Sequence, residues 1–145
     1  MASEIKVGVI ANDRGLGGTY QRNVWILSLA YGEARKILTD AQYAYVADQV
    51  RSLATEADPA RSQLCSVDAI EDFHELREKH GVLGKINLRV FFCLDYGKRA
   101  IVILGAIKKE NNGPTPGGTV ITMRRRKGLY TAGKWSLPTA GHNRK

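Results

Sequence analysis

The segment "KINLRVFFCLDYGKRAIVILGAIKK", Lys85–Lys109, decides the reading of this chain. Two runs rich in Ile, Val and Phe flank Asp95-Tyr96-Gly97-Lys98, a short polar break whose glycine tolerates positive φ. Apolar, β-branched and aromatic runs on either side of a glycine turn predict a β-hairpin. The second run ends on Lys108-Lys109, followed by the loop "KENNGPTPGG". Two lysines at the end of an apolar strand are either a soluble strand terminus or a contact for an anion.

Upstream, "AIEDFHELREKHG" at Ala69–Gly81 permits two readings. Glu, Leu and Lys favour a helix, whereas the alternation of Phe73, Glu75 and Arg77 with His74 and Leu76 permits a strand. "DPARSQLCSVD" at Asp58–Asp68 reads as a loop. Thr39 and Gln42 fit a capping box. Tyr43, Val46, Ala47, Val50, Leu53, Ala54 and Ala57 follow at helical spacing, predicting an amphipathic helix that stops near Asp58-Pro59. Val24, Leu27 and Tyr31 recur at the same spacing, so Thr19–Leu38 is predicted as a preceding helix, the two forming an antiparallel helical hairpin. Ile5, Val7 and Val9 alternate as in a strand. Gly15, Gly17 and Gly18 read as a turn, because neither GxGxxG nor GK[ST] is present.

Downstream, "TVITMRRRKGLYTAGKW" starts with β-branched residues, which favour a strand with a turn at Gly128, although a helix also fits. Residues 1–135 are expected to form one domain and 136–145 a flexible basic tail. Strand, two helices and then several strands predict an α+β domain, with the N-terminal helical hairpin packed on one face of a mainly antiparallel sheet.

Charge is unevenly placed. The net charge is +8; residues 1–84 carry nine Lys/Arg against twelve Asp/Glu, and residues 85–145 carry thirteen against two. That bias suits a polyanion, an acidic protein partner or a solvated basic face. Arg124, Arg125, Arg126 and Lys127, with Tyr130 nearby, are the densest cluster and fit RNA phosphates plus a stacked base. Arg99, at the end of the hairpin turn, is a further phosphate candidate. No run of 18 apolar residues exists, and the first fifteen residues lack the apolar core of a secretory signal. No metal site is expected, since the two cysteines, Cys65 and Cys93, have no CxxC or Cys/His spacing. A buried Cys93 thiol and a cytoplasmic setting are expected.

The order Glu75-Leu76-Arg77, Arg89-Val90-Phe91-Phe92, Ile101–Leu104, Lys108-Lys109 and Pro114 to Pro116 resembles the RelE/ParE toxin superfamily, closest to its HigB-like, phage-derived branch. The likeness covers roughly residues 40–116. It implies a RelE-like fold and a metal-independent, cofactor-free endoribonuclease that cuts mRNA on the ribosome and is held in check by a cognate antitoxin. The chain departs from that pattern at Gly117–Thr122, a poor helix start, and lacks lysines on the strand bearing Phe73 and Glu75.

Under that resemblance, Arg89 and Lys109 are the candidate catalytic cations, and His74 and Glu75 the candidate proton-transfer groups. Arg77, Arg99, Lys108, Arg124, Arg125, Arg126, Lys127 and Tyr130 are the candidate RNA-binding residues. His80, which like His74 lies beside the Glu75–Arg77 segment, could equally serve as acid or base, and His142, in the tail, is a weaker candidate. The alternative is a non-catalytic nucleic-acid- or partner-binding protein on the same fold.

Overall fold

The computed structural model describes residues 5–11, 20–78, 81–109 and 113–136. The elements run β1 (Ile5–Ala11), β2 (Asn23–Leu27), α1 (Ser28–Ile37), α2 (Asp40–Thr55), β3 (Ser66–Ile70), β4 (Phe73–Arg77), β5 (Asn87–Asp95), β6 (Ala100–Lys109), α3 (Gly117–Thr131) and β7 (Trp135–Ser136), with a 3₁₀ turn at Pro59–Arg61. One seven-stranded sheet has the order β3-β4-β5-β6-β2-β1-β7.

The domain is α+β, but the sheet is mixed. β3 to β6 form an antiparallel meander. β2 then joins β6 in parallel and β1 in antiparallel sense, and β7 pairs with β1 in parallel. Two strands precede the helices. These features overturn the expected mainly antiparallel, RelE-like sheet with an N-terminal helical hairpin.

The error lies at Thr19–Leu38. Val24, Trp25, Ile26 and Leu27 are all buried. An inner strand covered on both faces reads as a continuous apolar run without alternation. Its Val24–Leu27 spacing therefore mimics a helix. Only from Ser28 does the chain turn into α1, without a side-chain cap.

The capping box forms as the sequence predicts. Thr39 Oγ1 accepts from Gln42 N at 3.2 Å and Gln42 Oε1 accepts from Thr39 N at 2.9 Å. Val46, Ala47, Val50, Leu53 and Ala54 are buried along α2. With Ala30 and Ala34 of α1, the α2 side chains Val46 and Val50 meet Ile26, Val90, Ile103 and Ala106 on one face of the sheet.

α3 covers the opposite face. The β-branched Thr119–Ile121 favours a strand locally, yet Val120 N donates to Pro116 O and the helix proceeds, burying Met123 and Tyr130. Tertiary packing outweighs local propensity here. β3 and β4 resolve the other ambiguity: the segment is a hairpin turning at Glu71-Asp72, with Glu71 at φ 53°. Strand structure begins at Ser66, inside the expected loop, and Ser66 pairs with Arg77.

Two devices bring α3 onto β6. Where β2 ends, β6 continues with a free edge. Glu33 of α1 fills it, accepting from Ala106 N at 3.1 Å, while Arg126 donates to Leu104 O at 2.8 Å and to both Glu33 oxygens. The register shifts between Phe91 and Phe92, which face Gly105 and Ile103, and so leaves Leu104 as the extra residue of a bulge. The second device is Gly105. A Cβ there would lie 2.3 Å from Met123 Cε and 2.7 Å from Arg126 Nη1.

Gly15, Gly17, Gly18, His80 and His142 lie outside the described residues, as does the expected tail apart from Ser136, which belongs to β7. Among the described residues, no helix is long and apolar enough to cross a membrane.

Gly105→Ala is expected to destabilise the fold by about 1–3 kcal/mol through overpacking. Urea denaturation measures it. An unchanged midpoint would mean that Met123 and Arg126 relocate without cost.

Candidate functional site

β4 and β5 carry the charges that the sequence singles out. Glu75 and Arg77 lie two apart on β4 and share a face; Arg77 is opposite Arg89, and Glu75 is opposite Phe91. On β6, Lys109 is opposite Asn87 and Ile107 is opposite Arg89. Arg77, Arg89 and Lys109 thus share the α3 side of the sheet at one end, with Lys109 on the diagonal from Arg89. His74 is opposite Phe92 and points to the other face, stacked on that ring at 5.4 Å. Lys108 is exposed and also points away from Arg89.

Arg89 and Glu75 are both 0 % exposed. Arg89 Nη1 lies 3.5 Å from Glu75 Oε1 and donates to Thr115 Oγ1 at 3.3 Å, while Thr115 in turn donates to Glu75 Oε1. Arg77 Nε donates to Glu75 Oε2 at 2.7 Å and lies 3.6 Å from Asp68. One buried carboxylate therefore serves two guanidinium groups and a hydroxyl. Among the described residues, Arg89 Nε and Nη2 have no hydrogen-bond partner. Buried donors are costly to leave unpaired, so this guanidinium holds spare capacity for an acceptor. Lys109 Nζ, nearby, donates to Pro114 O at 3.1 Å.

The cationic run on α3 is largely spent inside the fold. Arg124 pairs with Glu71, Arg126 with Glu33, and Lys127 with Asp72 at 2.8 Å. The bond from Lys127 holds the Asp72 carboxyl below its ordinary range. Tyr130 is buried, and its hydroxyl donates to Asp95 at 2.7 Å. Burial, followed by that bond, pushes its phenol upward. Arg125 is exposed on the helix. Arg99 sits at φ 51° and donates from Nη2 to Gln21 O at 2.8 Å, tying the β5–β6 turn to the start of β2.

The sequence did not reveal the partners: Glu33, Asp72, Asp95 and Thr115 come from distant segments, and no local spacing marks them. Cys65 and Cys93 are both free and buried. Burial pushes Cys93 up to about 12, which removes it as a nucleophile. Among the described residues, no group of three or more His, Cys, Asp or Glu is arranged to hold a metal ion.

The arrangement can therefore orient an anion and stabilise charge developing on it, using Arg89 and Lys109. It offers no paired acid and base: Glu75 is enclosed by cations, and His74 is on the wrong face.

Glu75→Ala strands Arg89 as a buried, unpaired charge and is expected to cost about 3–5 kcal/mol, whereas Glu75→Leu combined with Arg89→Met is expected to recover most of that loss. Chemical denaturation decides; a double variant as weak as the single one would contradict the pairing. His74 gives a pH signature. Burial holds its imidazole below the ordinary value of 6.5, with Asp58 acting in the opposite direction. The unfolded chain then takes up the proton first, so stability is intact above about pH 6.5 and falls as pH drops through that value. His74→Phe keeps the stacking and is expected to flatten that decline; an unchanged profile in thermal melts across pH would contradict it.

No protein-family model and no curated protein matches the chain.

Proposed function

We propose that this protein is the toxin of a toxin–antitoxin pair, similar to the HigB-like branch of the RelE/ParE superfamily, and that it cuts mRNA on the ribosome. The observation that carries the reading is Arg89: a fully buried guanidinium on the same sheet face as Arg77 and Lys109, with Nε and Nη2 unpartnered among the described residues. The succession of β4, β5 and β6, the Lys108-Lys109 terminus, the Pro114–Pro116 link and a following helix also supports it.

The chemistry asks little of the protein. The RNA 2′-OH attacks the adjacent phosphorus, giving its proton to water and forming a 2′,3′-cyclic phosphate, while the P–O bond to the next nucleotide breaks and its 5′-oxygen takes a proton from water. The chain's part is to hold the phosphate in line and to stabilise charge on its oxygens. Arg89 donates to one oxygen from a water-excluded position, and Lys109 exchanges the Pro114 carbonyl for a second. Arg77 and Thr115 share Glu75 with Arg89, which leaves Nε and Nη2 of the buried guanidinium uncommitted among the described residues. The antitoxin is the expected protein partner, and no metal or organic cofactor takes part in this scheme.

A second reading, a non-catalytic nucleic-acid- or partner-binding protein, is favoured by one specific observation. Neither candidate proton-transfer group, Glu75 or His74, stands free beside Arg89.

The test is a translation reaction with ribosomes and a defined mRNA, followed by mapping of 5′ ends. Cuts within codons that require ribosomes are expected, reduced about a hundredfold by Lys109→Ala, the size of effect seen on removing one charge-stabilising donor. Arg89→Lys keeps the buried charge and is expected to lose cleavage while remaining folded. Intact mRNA with folded wild-type protein would leave the second reading standing. Unchanged cleavage in both variants would remove this site from the mechanism.

A further inference from the structure

At the other end of the sheet, the β5–β6 turn and the C-terminal end of α3 enclose a cleft of about 310 Å³. Asp95 lies six residues along β5 from Arg89, about 20 Å away. The cleft is walled by Tyr130 and Trp135, whose rings stack with centroids 4.9 Å apart and planes inclined by 17°. Trp135 is fixed from behind by Trp25 at 5.4 Å. Lys98 holds its ammonium 6.0 Å from the centre of the Trp135 ring. Tyr96, at the tip of the turn, is 69 % exposed, the most exposed of the large apolar residues among those described.

This composition selects its ligand. The volume is at the small end for ligand sites and has room for one ring system. Trp135, half-buried and packed between Tyr130 and Trp25, forms an aromatic wall, and the exposed ring is that of Tyr96. The exposed Tyr96 ring contributes little to the core, its ring neighbour being the Arg22 guanidinium at 5.9 Å. Lys98, exposed, supplies positive charge at the rim, and Lys127, paired with Asp72, lies in the lining. Asp95 accepts from Tyr130 Oη and from Lys98 N. Its remaining lone pairs suit an exocyclic amino group. Stacking faces beside lysines are the pattern by which proteins hold unpaired bases. An acidic peptide would use the lysines and leave the rings idle.

We infer that this cleft binds a nucleobase of single-stranded nucleic acid, with Tyr96 stacking on the base and Lys98 on its phosphate. The inference rests on the proposed RNA substrate and not on cleavage. It gives the strand a second anchor about 20 Å from Arg89.

The test uses a short fluorescein-labelled 2′-O-methyl RNA strand, which cannot be cleaved through its own hydroxyl, in the absence of ribosomes. Fluorescence anisotropy reads the affinity across a salt series. Tyr96→Ala is expected to weaken binding about fivefold or more at every salt concentration. Lys98→Ala is expected to lower the slope of log K against log salt by about 0.7, the counterion release of one phosphate contact on a single strand. Both side chains are exposed, so circular dichroism is expected to match wild type. Wild-type affinity in the Tyr96→Ala variant would overturn the base site even if Lys98→Ala weakens binding, and so would equal displacement of the probe by polyglutamate. Loss of mRNA cleavage in the ribosome assay with these affinities intact would remove the nuclease reading and leave the base site in place.

Discussion

The buried ion pair between Glu75 and Arg89 is the constraint around which the rest is arranged. Removing two charges from water is costly, and mutual attraction alone seldom repays it. Here the carboxylate also accepts from Arg77 and Thr115. Those extra bonds fix β4 against β5 and pin the Gly113–Pro116 segment over the sheet. That segment leads directly into α3. The direction in which α3 leaves, and hence the whole second face, follows from where Thr115 is held. The same pair leaves Arg89 with unused donors, so the stabilising arrangement and the proposed phosphate contact are one structure.

The basic half of the chain looks different once its partners are known. Arg124, Arg126 and Lys127 face acids contributed by the β3–β4 turn and α1. An exposed pair such as Arg124–Glu71 contributes little stability, but the three pairs offset three of the four charges of the run. Further cations lie beyond those pairs. Lys109 lies on the α3 face at the Arg89 end, Lys98 lines the aromatic cleft, and Arg125 is exposed on α3. A strand laid along α3 would meet positive charge at both ends, which is a more selective surface than a block of four adjacent cations.

What the sequence disclosed divides along physical lines. The Thr39–Gln42 box and the β5–β6 hairpin were legible because each is a local bargain between residues close in the chain. β2 was not, because an inner strand buried on both faces loses the alternation that identifies strands. The start of α3 was obscured by β-branched residues whose helical state depends on packing against Gly105 and the sheet. The mixed sheet follows from the single parallel pairing of β2 with β6, a long-range choice with no local mark. At the site, Arg89 and Lys109 stood on two recognisable strands, but Glu75 and Arg77 lay in a segment that read equally as helix or strand, so nothing local placed them beside Arg89. The burial of Glu75 and Arg89 was invisible, since the hydroxyl that bridges them, Thr115, arrives from 26 residues beyond Arg89.

Under the proposed function, Arg89 is a sealed, Glu75-bound guanidinium whose remaining donors meet a phosphate. Side-chain ¹⁵N NMR of the arginine Nε–H groups tests this. The Arg89 Nε–H is expected to exchange slowly with water in the free protein and to shift when uncleavable single-stranded RNA is added. A rapidly exchanging Arg89 signal, or one unmoved by RNA that visibly shifts other resonances, would contradict it and make the pair a purely structural element.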